Sequence, residues 1–301
     1  MFALLFSLPL SLLFTPASAR EQLTIVATTS DLASLAHAVT GNLAKVQSII
    51  PPGSDPEEFQ PRPQDLAKLR NANLLLRVGL DFELWLERPL AAIPNRQLQR
   101  GGSAYLDGST AVALLEIGAS GIGSGDNHGH ASGNPHYWLD PKNAEPITGL
   151  ILEGLARVDP TNARMYAERR TTFLLALEKR IADWETRLTP LRYQPMIAYH
   201  NTWAYFARRF RLSIVDVIEI RPGVPPSTAH LARLKRRMAS EGIVTILRQV
   251  HEPTREVAAL AGRGPARIVV LVGSVGEVPQ APDYFSLFEH NVARLLATGA
   301  R

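Results

Sequence analysis

The chain has 301 residues, about twice the usual size of one domain, so two domains are expected. With 46% hydrophobic and 20% charged residues, its composition is that of a globular protein and excludes disordered, collagen-like and coiled-coil chains. The net charge of +4 is scattered along the chain, so no nucleic-acid partner is expected, and the lack of cysteine excludes disulfides and thiolate zinc sites.

Residues 1–19 have the pattern of a secretory signal peptide. They contain no charged side chain, run apolar from Phe2 to Phe14, and end in the small-residue sequence Ala17-Ser18-Ala19. The apolar run is too short to span a bilayer comfortably. We therefore predict cleavage after Ala19 and a periplasmic mature chain that begins at Arg20. An uncleaved, membrane-anchored N-terminal helix is the alternative, because no Lys or Arg precedes the apolar run.

Residues 20–158 are predicted to form an N-terminal α/β lobe. Buried strands are predicted at 22–29, 45–51 and 74–79, with one helix after the first strand and another at 65–72. Such alternation of strands and helices favours a parallel sheet with helices on its faces. The Gly/Ser-rich stretch 117–135 is predicted to be a mobile loop.

One long helix is predicted over 159–189. Asp159-Pro160 is typical of a helix start, because proline is tolerated in the first turn. Apolar residues then recur at helical spacing along one face, namely Tyr166, Phe173, Leu177, Ile181, Trp184 and Leu188. A helix of about 30 residues would be about 45 Å long, and it would join the two lobes stiffly.

Residues 190–301 are predicted to form a C-terminal α/β lobe. Its strands are predicted at 195–200, 212–220, 244–250 and 267–273, and its helices around 203–210, 228–240, 254–262 and 284–297. The predicted fold class is therefore α/β, with two lobes. Each lobe contains a mainly parallel sheet flanked by helices, and one long rigid helix joins them.

Imidazole and carboxylate side chains gather after the predicted strands, where ligands bind in open α/β sheets, and one lies in the segment ahead of the long helix. They are Glu57, His136, His200, Glu219 and Asp283. Together they suit Zn²⁺, Mn²⁺ or Fe²⁺, and two histidines from separate halves would place an ion between the lobes.

The remaining histidines are weaker candidates. Those on helical or connecting segments are His37, His230, His251 and His290, and a structural role fits them better. His128 and His130, in the glycine-rich stretch, fit transient metal capture and incidental placement equally well.

Motifs for an enzyme are scarce. The sequence has no HExxH zinc-protease motif, no GxSxG elbow and no glycine-rich phosphate loop. An exported metal-dependent hydrolase remains as the alternative, with His136, His200 and Glu57 as ligands, an open water position and Glu58 as general base.

Five segments carry a family resemblance along nearly the whole mature chain: 53–66, 71–86, 134–141, 198–210 and 283–292. In them the chain resembles the ZnuA/TroA-like periplasmic metal-binding receptors of bacterial ABC importers. The resemblance implies two α/β lobes with a metal ion between them and ligands at His136 and His200. It also implies a monomer that is not an enzyme and that delivers its ion to a permease and its ATPase.

Two positions depart from the family pattern. Glu57 stands where the family usually has histidine, and Gly273 stands where many members have an acid after the last strand. The sequence leaves open whether Glu57, Glu219 or Asp283 completes the site, and whether the site has drifted to another ligand. The predicted metal ligands are His136, His200, Glu57 and Asp283, with Zn²⁺ as the expected ion and Mn²⁺ or Fe²⁺ as alternatives.

Overall fold

The structure contains two parallel sheets, one formed before and one formed after a long helix in chain order. The computed structural model describes residues 22–115 and 132–299. The predicted signal peptide at 1–19 and most of the glycine-rich stretch, including His128 and His130, lie outside these ranges. In the described ranges, no helix is both long and apolar enough to cross a membrane.

The N-terminal sheet has four strands in the order β2-β1-β3-β4, and all neighbours are parallel. The strands are β1 (Leu23–Ala27), β2 (Ala44–Ser48), β3 (Leu74–Arg77) and β4 (Tyr105–Asp107). The helices of this half are α1 (Ser30–Thr40), α2 (Pro63–Ala67), α3 (Glu87–Ala92) and α4 (Ala144–Val158). Both faces of β3 are buried, which explains its uninterrupted apolar run Leu74-Leu75-Leu76.

The C-terminal sheet repeats this topology with the order β6-β5-β7-β8, again fully parallel. The strands are β5 (Pro195–Ala198), β6 (Ser213–Val217), β7 (Thr245–Gln249) and β8 (Arg267–Leu271). The helices are α6 (Ala204–Phe210), α7 (Thr228–Glu241), α8 (Thr254–Ala261) and α9 (Tyr284–Gly299). In each sheet the strand order reverses beside the first strand, so each lobe has a crevice at the carboxyl end of that strand.

The long helix is α5 (Ala163–Arg187), which packs against α1, α4 and α9. Every residue of its predicted apolar stripe is buried, from Tyr166 to Leu188. At 25 residues the helix is about 37 Å long, shorter than predicted, because 3₁₀ turns at 160–162 and 189–191 replace α-helix at both ends.

One hydrophobic core runs through both lobes. A single cluster of buried side chains includes Ile25 of the N-terminal sheet, Trp184 of α5 and Leu271 of the C-terminal sheet. A second, smaller cluster lies under α7 and α8 and includes Leu234 and Val257. The two sheets are therefore held against each other by shared packing, in addition to the chain connection.

The predicted strands all exist, with ends trimmed by a few residues. Strand β4 and helices α3 and α4 were not predicted. The strand β4 has only three residues, Tyr105-Leu106-Asp107, which is too short for an alternating or apolar pattern to show. The helix predicted at 65–72 is α2 followed by a 3₁₀ turn at 68–71.

Candidate metal centre

Glu57, His136 and His200 converge at one point between the lobes. One donor atom from each side chain lies within 4.8 Å of the other two. Glu57 Oε1 is 3.1 Å from His136 Nε2 and 3.3 Å from His200 Nε2. Two ligands bound at about 2.1 Å and a tetrahedral angle would be about 3.4 Å apart. The spacing of these donors therefore fits a single transition-metal ion.

Glu57 is held by a turn of its own loop, which follows β2. Asp55 Oδ1 accepts a hydrogen bond from the Glu57 backbone N–H at 2.9 Å, the local bond that lets aspartate form a tight turn. Only 9% of the Glu57 side chain is exposed, whereas the neighbouring Glu58 is exposed. The turn therefore directs one of two adjacent carboxylates into the interior.

His136 is packed among aromatic rings and is 4% exposed. Its ring lies 5.9 Å from Phe82, edge to face, and 5.4 Å from Trp138, between centroids. Phe82 follows a turn in which Leu80 and Asp81 both have positive φ, a conformation that costs free energy in non-glycine residues. This strained turn places the aromatic wall against the imidazole.

Each imidazole is oriented through its Nδ1 atom. Asn134 Oδ1 lies 3.1 Å from His136 Nδ1, and Glu219 Oε2 lies 3.1 Å from His200 Nδ1. Glu219 Oε1 in turn accepts the Gly223 backbone N–H at 3.2 Å. Oxygen partners at Nδ1 leave Nε2 available for an ion, the usual arrangement behind metal-bound histidines. Glu219 therefore lies behind His200, on the far side from Glu57.

The cluster opens into a cavity of about 270 Å³. The described residues that line this cavity include no lysine or arginine. Its acidic and imidazole lining residues are Asp55, Glu57, Glu58, Glu219, Glu252, Glu256, His136, His200 and His251. Because low-dielectric walls concentrate the field of these carboxylates, the cavity attracts cations and repels anions.

Asp283 does not join the cluster, which corrects its predicted place among the ligands. Its side chain is exposed, and its Oδ1 accepts the Ser286 backbone N–H at 2.8 Å at the start of α9. It lines a different groove, beside α1 and α5. Aspartate at a strand-to-helix junction satisfies a free helix N–H, and that local bond holds Asp283 away from the ligands.

Gly273 leaves room for a side chain of β7. A Cβ atom at position 273 would collide with Gln249 Oε1. The Gln249 amide nitrogen donates to Thr202 Oγ1 at 3.0 Å and to Glu252 Oε1 at 3.3 Å. An acid at 273 would have to displace this buried network. At position 273, many members of the family that this sequence resembles have a carboxylate. In this protein the neutral amide of Gln249 lies there instead.

Sequence reasoning missed the contribution of the segment after β7. His251 lies in the cavity wall, with Nε2 3.8 Å from Asp55 Oδ2 and Nδ1 3.5 Å from Glu277 Oε1. The strand-end rule that selected His200 applies equally to residues 249–252 and could have found them. His230, in contrast, is buried on α7 with Nε2 2.9 Å from the Val217 carbonyl oxygen, a structural contact.

Burial lowers and nearby carboxylates raise the pKa of two histidines of the cavity, His200 and His251, and the carboxylates prevail. Burial lowers the pKa of His200, but the charge of Glu57 and the hydrogen bonds with Glu219 and Glu57 outweigh it, so the pKa lies well above its ordinary value. Burial also lowers the pKa of His251, and the bond to Glu277 and the charge of Asp55 raise it on balance. Protons therefore compete with a metal cation for the imidazoles of His200 and His251.

Two buried acids also favour their protonated forms. Burial raises the pKa of Asp31 to about 7, against the hydrogen bond from the Val275 backbone. Burial raises the pKa of Glu252 to about 7 as well, against the hydrogen bond from the Gln249 backbone. Of these two acids, Glu252 lines the cavity, so part of its acidic lining is protonated near neutral pH.

Two parallel α/β lobes, with histidines from both lobes meeting between them, agree with the expected class of metal-binding receptors of ABC importers. The chain belongs to the ZnuA family, described as the periplasmic component A of a zinc-uptake complex, whose model matches residues 25–298. This is a family of periplasmic metal-binding proteins with a role in metal transport.

Curated relatives and solved structures agree with this assignment. The chain is 24% identical over 282 residues to the iron-binding protein YfeA of Yersinia pestis, covering 92% of this chain and 86% of that one. It is 24% identical to the high-affinity zinc uptake protein ZnuA of Paracoccus denitrificans over 254 residues, 74% of each chain. A zinc-bound deletion mutant of ZnuA superposes with a TM-score of 0.78 at 25% identity, covering 93% and 99% of the chains.

A manganese-bound receptor has the same fold. The binding protein FpvC of Pseudomonas aeruginosa, solved with Mn²⁺, superposes with a TM-score of 0.78 at 21% identity, covering 92% and 98% of the two chains.

The stability of the metal-free protein is expected to fall as pH rises from about 5 to about 7, between the ordinary and the folded pKa values of Asp31 and Glu252. The folded-state pKa values of His200, His251, Asp31 and Glu252 all lie above those of the unfolded chain. The folded state therefore binds more protons, and the stability from these groups is lost as pH rises through the folded values. His290, whose pKa burial lowers, opposes this trend. Chemical denaturation of the chelator-treated protein at several pH values measures the slope.

Asp31→Asn should flatten this slope, because the amide oxygen can still accept the Val275 N–H but no longer titrates. Asp65→Asn is the control, since hydrogen bonds from Arg62 lower the pKa of Asp65 and it stays ionised throughout the range. A slope unchanged by Asp31→Asn would contradict the raised pKa.

Proposed function

We propose that this protein captures a divalent transition-metal ion, with Zn²⁺ as its cargo, and delivers it to an ABC permease and its ATPase. One observation carries the proposal. Glu57 Oε1 lies within 3.3 Å of imidazole nitrogens from both lobes, at the end of a cavity lined by carboxylates. The donor set is two nitrogens and one oxygen, a combination suited to Zn²⁺, Mn²⁺ and Fe²⁺.

Binding in this proposal is coordination, without a chemical reaction. His136 and His200 supply neutral imidazole nitrogens, and Glu57 supplies a negative charge that the ion compensates. Further coordination positions face the cavity, where water or a group of the permease could reach the ion. Because the lobes share one core, release depends on movement of the loops that carry the ligands.

Two alternatives have less support. A hydrolase would need Glu58 as base, but the carboxylate that converges with both imidazoles is Glu57, and Glu58 lines the cavity with an exposed side chain. The names of the relatives are those of uptake and metal-binding proteins. A site that had drifted to a different ligand would have no need to keep three donors within 4.8 Å.

Metal binding is tested by titration of the purified, chelator-treated protein with Zn²⁺, Mn²⁺ and Fe²⁺. At 100 times Kd, the ion should raise the free energy of unfolding by ~2.7 kcal/mol. His136→Ala and His200→Ala should each remove most of this gain. His230→Ala is the matched control, because His230 is a buried histidine outside the cavity. A wild-type melting curve unchanged by all three ions would overturn the proposal.

Glu57 is proposed to set the preference among ions. Replacing a nitrogen donor by a carboxylate shifts preference toward harder cations, so Glu57→His should raise the ratio of Zn²⁺ to Mn²⁺ affinity. Glu57→Ala should weaken both metals strongly, whereas Glu58→Ala removes a carboxylate that lines the cavity but is not one of the converging donors and should have a smaller effect. Competition titrations measure these constants. Equal constants for the wild type and Glu57→Ala would remove Glu57 from the site.

Export with cleavage after Ala19 is part of the same proposal. The family is periplasmic, and capture of an ion for a permease requires the receptor outside the cytoplasmic membrane. N-terminal sequencing of protein from the periplasmic fraction should begin at Arg20. Full-length protein in the membrane fraction would instead support an anchored helix.

A further inference from the structure

His251 lines the same cavity as the three converging donors, but it is not one of them. Among the described residues, the group whose donor atoms all lie within 4.8 Å of one another consists of Glu57, His136 and His200. His251 comes two residues after β7 and lines the cavity from the C-terminal lobe. The cavity therefore contains an imidazole that the proposed metal centre does not use.

The His251 ring lies between two carboxylates, one from each lobe. Its Nε2 is 3.8 Å from Asp55 Oδ2, and its Nδ1 is 3.5 Å from Glu277 Oε1. The Glu277 side chain is almost completely buried, and its other oxygen accepts the Gly273 backbone N–H at 2.8 Å. A fixed carboxylate behind an imidazole is the usual arrangement that orients a metal-bound histidine.

The gap between His251 Nε2 and Asp55 Oδ2 has the width that one ion can bridge. Two ligands bound at about 2.1 Å and separated by 3.8 Å form an angle of about 130° at the ion, a little wider than tetrahedral. The other oxygen of Asp55 accepts the Glu57 backbone N–H. Asp55 can therefore hold the turn of Glu57 with Oδ1 and offer Oδ2 to an ion.

These two donors lie nearer to solvent than the three converging ones. The side chains of Asp55 and His251 are 38% and 18% exposed, whereas those of Glu57 and His136 are 9% and 4% exposed. An ion from solvent thus meets the outer pair before the inner donors. With only two protein ligands and water in the remaining positions, binding at the outer pair should be weaker than at the inner three.

We propose that His251 and Asp55 form a second, outer site for a divalent transition-metal ion, with Glu277 orienting His251. The outer site deepens the proposed function, because both sites take the same class of ion from one cavity. The competing explanation is a salt bridge, in which a protonated His251 links the two carboxylates and no ion binds between His251 and Asp55.

Calorimetric titration of the chelator-treated full-length protein with Zn²⁺ counts the sites. The wild type should show two binding events, one tight and one weak. His251→Ala should lose the weak event while the tight event remains measurable. Asp55→Asn should lose it as well, because the amide keeps an oxygen for the Glu57 N–H but offers no carboxylate to the ion. Circular dichroism of each variant checks the fold.

Glu58→Gln is the matched control for Asp55→Asn. It removes the same charge from the lining of the same cavity, but the Glu58 carboxylate lies against Gly223 rather than beside His251. The weak event should persist in this variant. Its loss would mean that the total negative charge of the cavity, and not the pair of Asp55 and His251, holds the second ion.

Glu277→Gln tests the orienting carboxylate. The amide oxygen can still accept the Gly273 N–H, but the charge behind His251 is lost. Loss of such a partner typically lowers metal affinity about 10–100-fold, and we expect the weak constant to fall by a factor in this range. A weak constant equal to that of the wild type would remove Glu277 from the site.

Two further variants locate the second ion. The double variant His128→Ala/His130→Ala should keep the weak event, which separates the outer site from the histidines of the glycine-rich stretch. His200→Ala should lose the tight event and keep the weak one. A single event in the wild type, or a weak event unchanged in His251→Ala, would overturn the inference in favour of the salt bridge. A wild type without the tight event would instead refute the proposed function, and a weak event lost in His251→Ala would still support the outer site.

Discussion

The shared hydrophobic core of the two lobes is the constraint on which the proposed metal centre depends. His136 and His200 belong to different lobes, so their separation is fixed only if the lobes cannot move apart. Trp138, two residues after His136, is fully buried and donates its indole N–H to the Gly273 carbonyl oxygen of the other lobe at 2.9 Å. Tyr284 donates to the Trp138 carbonyl oxygen at 2.7 Å. The interface between the lobes is therefore also the floor of the site.

This constraint decides how an ion can leave. Rigid opening of the lobes would expose Trp138 and Tyr284, each of which is almost completely buried. Exposing two such side chains would cost about 3–6 kcal/mol in hydrophobic free energy alone, enough to make the open state about 10²–10⁴ times rarer. The loop that carries Glu57 is more exposed, at Pro52, Gly53 and Glu58, and Phe59 anchors its far end against Trp85. Movement of this loop therefore requires less free energy than opening of the lobes, and it is the favoured route for an ion to enter and leave the proposed site.

The fold and much of the site could be predicted from the sequence because both follow local patterns. Apolar runs marked seven of the eight strands in the described residues, and the rule that ligands follow strand ends led to His200 and Glu57. What could not be predicted depends on contacts between distant residues. Asn134 and Asn201 are 67 positions apart, and no local pattern shows that an amide joins them. The prediction of Asp283 as a ligand was wrong for the opposite reason, because a local hydrogen bond at the start of a helix sets the position of its side chain.

The two departures from the family pattern have one physical consequence when they are taken together. A site with histidine at position 57 and an acid at 273 has three nitrogen donors and one carboxylate. In the site proposed for this protein, Glu57 supplies a carboxylate from the N-terminal lobe, and the neutral amide of Gln249 occupies the space that a side chain at position 273 would need. The donor set therefore keeps one negative charge and loses one nitrogen. Because the charge around the ion is conserved, any change in metal preference must come from the kind of donor atom and from the open coordination position.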